Sequence, residues 1–185
     1  MSDKTLKEKI KRVTAETVEV VEYDPEWPVL FEQEKEHLYH DLPDNLIVRI
    51  EHFDSTSVPG LAAKPIVDMV IEINDVLYGK IIIPELLEPQ GYDCFWRPLA
   101  NENIPPYFTW CIKRNNSGKR THHLHFVKPG FKDEELRFRD ILRKYPDAAD
   151  NYRSLKLDLS REHHDDRIAY TEAKGDFIKR VLKDY

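Results

Sequence analysis

A chain of 185 residues is long enough to bury a hydrophobic core within one ordinary domain, and two domains are not required. Its 34 acidic residues outnumber 28 basic residues and give a formal net charge of -6, which argues against a dedicated binder of nucleic acid or membrane surfaces. The default partner is therefore a small molecule or a protein.

The cysteine count and the hydropathy pattern indicate the compartment. Cys94 and Cys111 are too few and too scattered for a disulfide framework or a metal knuckle, and no apolar leader opens the chain. No apolar run approaches the roughly 18 to 20 residues that a membrane-spanning helix needs. We expect a soluble protein of the reducing cytoplasm.

The first half of the chain mixes predicted strands and helices. Residues 1–16 are charged and predict an N-terminal tail, and residues 17–185 predict a single domain. "TVEVVEY" predicts a strand because its β-branched residues alternate, and Asp24 and Pro25 then predict the start of a helix that reaches about Leu42. "NLIVRIEHF" and "PIVDMVIEI" predict two further strands.

The second half changes period. A short helix is predicted around Pro84 to Leu87, and "GYDCFWRP", "YFTWCIKR" and "RTHHLHFVK" predict three more strands. From "KDEELRFRDILRKY" onward the pattern is helical, with a break at Pro146 and a last helix from about Asp165 to Leu182. Strands followed by helices predict an α+β fold with helices on one face of a small mixed β-sheet and a helical C-terminal region.

Asp68 stands inside the apolar strand "PIVDMVIEI". Because residues two apart share a face, its carboxylate projects beside Ile66 and Val70, which costs free energy unless the carboxylate is hydrogen-bonded, paired or metal-bound. Asp68 therefore needs a partner, and the preceding loop offers several.

The loop before Asp68 has the groups that suit a phosphate. Ser55, Thr56 and Ser57 supply hydroxyls, and Lys64 supplies a positive charge. The alternative is structural: the three hydroxyls cap a turn and Asp68 pairs with Lys64.

Five segments of the chain resemble a known family. "VEYDPEWPVLFEQE", "HFDSTSVPGLAAKPIVDM", "RTHHLHFV", "FRDILRKYPDAADNYRSLK" and "YTEAKGDFIKRVL" are similar, in order, to the signature segments of the GrpB-like proteins, which belong to the nucleotidyltransferase superfamily of the DNA polymerase β type. The resemblance implies a mixed sheet, a Gly-Ser motif after the first core strand, and carboxylates on the next strand that bind a divalent metal, Mg or Mn.

Two positions depart from the superfamily pattern. Asp54 stands where a Gly is expected, either because the backbone approaches a phosphate or because it takes an unusual dihedral. An Asp there caps the following turn or weakens nucleotide binding. Val70 stands where a second acid is expected, which argues against ordinary two-metal nucleotidyl transfer.

The histidine-rich strand offers replacement ligands. His123 and His125 lie on one strand face, and together with Asp68 they would form a three-ligand site that suits Zn or another transition metal better than Mg. The alternative is that one histidine is exposed and the other is a hydrogen-bonded, partly buried ring.

The helical end carries basic residues in the segments of the resemblance. Tyr152 and Lys156, like Tyr170 and Lys174, are four residues apart and share a helix face, where a lysine head can reach a cleft. Most of these groups suit a solvated face. Arg139 and Lys156 are the better candidates for holding phosphates.

These observations favour a domain that binds a nucleotide or another phosphorylated small molecule. If it is an enzyme, we expect a metal-dependent nucleotidyltransferase with Asp68, His125 and Lys156 as catalytic residues. Two alternatives stay open: a non-catalytic ligand-binding or interaction module of the same fold, and a transition-metal-dependent hydrolase or ligase built on Asp68, His123 and His125.

Overall fold

The computed structural model describes residues 19–98, 107–162, 169 and 172–185. The helices are α1 (Glu26–Asp41), α2 (Val76–Leu87), α3 (Asp133–Lys144), α4 (Pro146–Glu162) and α5 (Gly175–Asp184). The strands are β1 (Ile47–Phe53), β2 (Val67–Ile73), β3 (Asp93–Pro98), β4 (Tyr107–Arg114) and β5 (Arg120–Val127), and a 3-10 turn (Ser55–Ser57) follows β1. Within these ranges no helix has the length and apolar character to cross a bilayer.

The strands form one mixed sheet in the order β1-β2-β5-β4-β3. β2 and β5 run parallel, and the other neighbouring pairs are antiparallel. The expected α+β class is confirmed. The parallel pair at the centre of the sheet sets Asp68 directly opposite His123.

Alternation along the strands divides the sheet into two faces. Met69 and Ile71 of β2 and Phe126 of β5 are fully buried on the face that packs against α1 and α2. On the other face Val70 and Trp110 form a second core, which α3 covers with Leu136. Helices therefore contact both faces, although α1 and α2 share one of them.

The C-terminal helices form a third core beside the sheet. Phe138 of α3, Tyr152 of α4 and Val181 of α5 pack together against Val58 and Leu61, which follow the 3-10 turn. This contact fixes the turn between β1 and β2 against the helical region. A cleft forms where the two meet.

Two predicted elements differ from the structure. Of the strand predicted at residues 17–23, the described part forms only an isolated bridge between Val21 and Ala63. The short helix predicted around Pro84 begins instead at Val76, because the Asp75 carboxylate caps it by accepting from the N–H groups of Leu77 and Tyr78. The predicted tail, residues 1–16, and the first residues of the predicted last helix lie outside the described residues.

The two cysteines also differ from expectation. Cys94 on β3 lies opposite Cys111 on β4, and their sulfur atoms form a disulfide. Both residues are buried. Sequence spacing gave no sign of this pairing, because it depends on the register of two strands.

Candidate functional site

A polar cleft of about 160 Å³ lies where β1 and β2 meet the helical region. Its lining combines hydroxyls, lysines and carboxylates: Asp54, Ser55, Thr56, Ala63, Lys64, Ile66, Asp68, His123, Lys156 and Lys174. The sequence placed most of these residues in a candidate site. We call this space the lysine cleft.

The turn at one wall of the lysine cleft is held by Asp54. Its carboxylate Oδ1 accepts hydrogen bonds from the Ser55 N–H at 2.7 Å and the Ser55 hydroxyl at 3.1 Å. Its backbone has φ 57° and ψ -165°, a region that is essentially restricted to glycine. Both expectations for this position therefore hold: the backbone takes the unusual dihedral, and the Asp side chain caps the turn.

Lys156 enters the lysine cleft from α4 and is only 2% exposed. Its ammonium donates to the Ala62 carbonyl and lies 4.7 Å from the centre of the Tyr152 ring. Burial lowers its pKa to about 7, the nearby Asp54 charge opposes that shift, and Lys174 adds to it. A lysine held this way is ready to gain from an added anion.

Asp68 finds its partner in the histidine strand rather than in Lys64. His123 Nδ1 lies 3.0 Å from Asp68 Oδ1, and His123 Nε2 lies 3.4 Å from a guanidinium nitrogen of Arg120. Because a guanidinium only donates, Nε2 accepts and the ring proton sits on Nδ1, which donates to Asp68. Burial alone would raise the pKa of Asp68, but its contacts with the two histidines outweigh burial and hold that pKa below its usual range.

His125 lies further from the carboxylate. Its Nε2 is 3.8 Å from Asp68 Oδ1, and its ring contacts Phe53, Phe108 and Trp110. Its Nδ1 is buried and has no hydrogen-bond partner among the described residues. Burial lowers the pKa of this ring, and its contact with Asp68 opposes that shift.

These contacts do not fit the expected three-ligand metal site of Asp68, His123 and His125. The His123 nitrogen that faces Asp68 carries a proton and cannot ligate a metal in that state. Across the described ranges, no group of three or more His, Cys, Asp or Glu side chains is arranged to hold a metal ion. The carboxylate and the imidazole instead bind each other.

Two further predicted residues lie outside the lysine cleft. Ser57 faces a different groove, and its hydroxyl donates to the Asp54 carbonyl. Arg139 donates to the Glu51 and Asp140 carboxylates and to the His52 carbonyl. Arg139 therefore holds α3 against β1, and it does so as a structural ion pair.

Asp54 and Lys174 line the cleft although neither was among the leading site candidates. Lys174 shares the four-residue spacing to a tyrosine that singled out Lys156, which was the available signal. Tyr170, the tyrosine of that pair, lies outside the described residues.

The charges that meet in the lysine cleft suit an anion. Among the described residues that line it there are three lysines and two carboxylates, and one of those carboxylates, Asp68, is already bonded to His123. Ser55 and Thr56 also line the cleft; the Ser55 hydroxyl donates to Asp54, and the Thr56 hydroxyl lies 3.0 Å from His52 Nε2.

Comparisons with known proteins show which family the chain is related to. A family model described as GrpB protein matches residues 17–184. The chain is 36% identical over 177 residues to a UPF0157 protein of Pseudomonas aeruginosa, covering 89% of this chain and 66% of that protein. It is 34% identical over 166 residues to the UPF0157 protein YqkA of Bacillus subtilis, covering 88% of this chain and 45% of that protein.

The chain thus spans less than two thirds of the length of both relatives. Its fold resembles the crystal structure of the conserved protein GrpB from Enterococcus faecalis, with a TM-score of 0.75 and 32% sequence identity over 90% of this chain and 96% of that one. The sequence resemblance and the structural one agree, and the chain belongs to the GrpB family.

Proposed function

We propose that the domain binds a phosphorylated small molecule, with nucleotides among the candidates, and that the lysine cleft holds its phosphate group. The observation that carries this proposal is Lys156. A buried cation that is bonded only to a carbonyl and a ring, in the described surroundings, costs folding free energy that an anionic ligand would offset.

The volume of the cleft limits the size of the group that it can enclose. A space of about 160 Å³ is smaller than the roughly 300 to 1,000 Å³ of pockets that enclose a drug-sized ligand. It suits one phosphoryl group, so the sugar and base of a nucleotide would extend outside. Phosphate recognition is thus the part of the function that the geometry supports best.

Ser55 and Lys64 have supporting roles in this proposal. Ser55 and Lys64 line the same space as Lys156, so one tetrahedral anion in that space would lie near both lysines and the serine. Asp68 and His123 also line this space, and a neutral or protonated partner of the phosphate would lie beside them. Nucleotidyl transfer, with Asp68, His125 and Lys156 as catalytic residues, stays a prediction.

Calorimetric titration tests the binding. Inorganic phosphate, pyrophosphate, AMP and ATP are titrated into wild-type protein and into Lys156→Met, with and without Mg²⁺, Mn²⁺ or Zn²⁺. We expect phosphate-containing ligands to bind, and Lys156→Met to weaken them at least about tenfold, because a charge-assisted contact is lost. Exposed Lys179 on α5 gives the matched control, Lys179→Met, which should leave affinity unchanged.

The outcomes separate the alternatives. Binding without pyrophosphate release from any nucleoside triphosphate, across a panel of acceptors, identifies a non-catalytic ligand-binding module. Affinity that appears only with Zn²⁺ and is lost in Asp68→Ala supports the metal-dependent alternative. Equal affinity in Lys156→Met and wild type contradicts the proposed site.

A further inference from the structure

A second concavity lies on the other side of the 3-10 turn. It has a volume of about 610 Å³ and is bordered by exposed prolines from three segments: Pro28 of α1, Pro59 after the turn, and Pro146 at the start of α4. We call it the proline-rimmed groove. Because proline fixes its own backbone dihedral, the rim is stiff and the groove is largely preformed.

The floor of the proline-rimmed groove is apolar and well packed. It is lined by Phe31, Val58, Leu61 and Leu142. Each of these side chains is at most 7% exposed because neighbouring segments cover it. A concave apolar floor of this volume is typical of sites that enclose a small organic molecule. The ligand should therefore have a flat apolar body.

A fixed cation stands at the wall of the groove. Arg143 donates from Nε and Nη2 to the Ser57 carbonyl, at 3.0 Å and 2.8 Å, and a carbonyl gives it no opposite charge. The structure places no carboxylate of the described residues within 4.0 Å of this guanidinium. The negative charges of Glu51 and Asp140 act on Arg143, but both carboxylates accept hydrogen bonds from Arg139 instead.

The other charges of the groove limit the ligand to a single negative charge. Glu32 and Asp150 border the groove as well, and Arg153, the second cation there, is paired with Glu22. A polyphosphate would meet these two carboxylates, whereas one carboxylate group can reach Arg143 and avoid them. Partial desolvation and the neighbouring Arg139 lower the pKa of Arg143, although the residue stays exposed and is open to a ligand.

We propose that the proline-rimmed groove binds a small organic carboxylate with a flat apolar body, whose carboxylate is held by Arg143 and whose rings lie against Phe31 and Leu61. This site is separate from the lysine cleft. Ser55 and Thr56 border the cleft, whereas Ser57 borders the groove, so the turn stands between them.

A matched pair of probes tests the proposal. Saturation-transfer NMR and calorimetry are run with 2-naphthoate and with its uncharged analogue 2-naphthalenemethanol. We expect 2-naphthoate to bind with a dissociation constant in the millimolar range or tighter, which a ligand of its size can reach. It should bind at least about tenfold more tightly than the alcohol.

Three variants locate the site. Arg143→Gln should weaken 2-naphthoate about tenfold and leave the alcohol unchanged. Ala149→Phe fills the groove from α4 and should weaken both probes. Arg137→Gln, an exposed arginine of the same helix as Arg143, is the control and should change neither.

The contrary results are equally defined. Absence of 2-naphthoate binding to wild-type protein, equal binding of the two probes, or undiminished binding in Ala149→Phe overturns the proposal. Displacement of 2-naphthoate by inorganic phosphate would place the probe in the lysine cleft and also overturn it. Because phosphate affinity is measured separately, failure here leaves the proposed phosphate site standing.

Discussion

At the scale of single residues, Lys156 is a buried cation that lowers the stability of the fold. The side chain is almost fully buried, and burial lowers its pKa to about 7 from the usual value near 10.5. The folded chain therefore binds fewer protons than the unfolded chain between about pH 7 and 10.5. Below pH 7 the folded state carries the full free-energy cost of burying the charged lysine. That cost decreases as the pH rises from about 7 to 10.5.

The substitution Lys156→Met tests this account. We expect it to raise the free energy of unfolding at pH 6 by on the order of 1 to 2 kcal/mol, since a desolvated charge is replaced by a side chain of similar shape. Urea denaturation at pH 6 and pH 10 measures the difference, which should shrink at the higher pH. A variant that is less stable than wild type at pH 6 would contradict it.

Asp54 is a second residue that lowers the stability of the folded chain. A non-glycine residue at φ 57° and ψ -165° stores about 1 to 3 kcal/mol of backbone strain, and its carboxylate occupies the Ser55 N–H that an anion could use. We expect Asp54→Gly to raise phosphate affinity about tenfold, because a like charge leaves and a donor is freed. The free energy of unfolding should change by less than about 1 kcal/mol, since relieved strain offsets the lost cap.

Asp54→Asn separates the two causes. Asn keeps an acceptor for the Ser55 N–H and tolerates positive φ, but it lacks the charge. If the charge matters, calorimetry will find tighter phosphate binding in both variants. Unchanged or weaker binding in both would show that Asp54 does not oppose the ligand.

Residue chemistry alone predicted that Asp68 needs a partner, and this prediction was correct. It did not decide between Lys64 and the histidines, because that choice depends on which strand lies beside β2. Similarly, residue type alone selected Ser55, Thr56 and Lys64, which line the cleft, but it also selected Ser57 and Arg139, which lie outside it. The direction of those two side chains depends on the packing of the turn and of α3.

At the scale of elements, strand order decides what the site contains. The sequence pattern located all five strands, β1 to β5, with small errors at their ends, since alternation is a local property. The parallel pairing of β2 with β5, which brings Asp68 to His123, joins residues 55 positions apart. No local pattern specifies such a pairing.

The pairing of β3 with β4 has a consequence that can be measured. It sets Cys94 opposite Cys111, both buried, in a disulfide that closes a loop with a sequence separation of 17. We expect protein purified without reductant to show no free thiols after unfolding. Reduction should lower the free energy of unfolding by about 3 kcal/mol, the value expected for a loop of this length.

A thiol titration in denaturant, with and without prior reduction, checks this prediction. The variant carrying Cys94→Ser and Cys111→Ser should be insensitive to reductant. Two titratable thiols in the unreduced wild-type chain would contradict the disulfide and would favour the reducing compartment expected from the sequence.

At the scale of the whole molecule, the lysine cleft depends on the docking of the helical region against the sheet. Ser55 and Lys64 come from the segment between β1 and β2, Lys156 comes from α4, and Lys174 directly precedes α5. The packing of Val58 and Leu61 against α3, α4 and α5 holds these parts together. Sequence reasoning named most of the parts and could not place them, because their meeting depends on this long-range packing.

The most direct test of the phosphate site is an NMR titration with inorganic phosphate that follows backbone amides and lysine ammonium groups residue by residue. We expect the amides of Ser55, Thr56 and Lys64 and the ammonium of Lys156 to shift together, with one dissociation constant. Shifts that gather around Arg143 instead, or no shifts at millimolar phosphate, would contradict it.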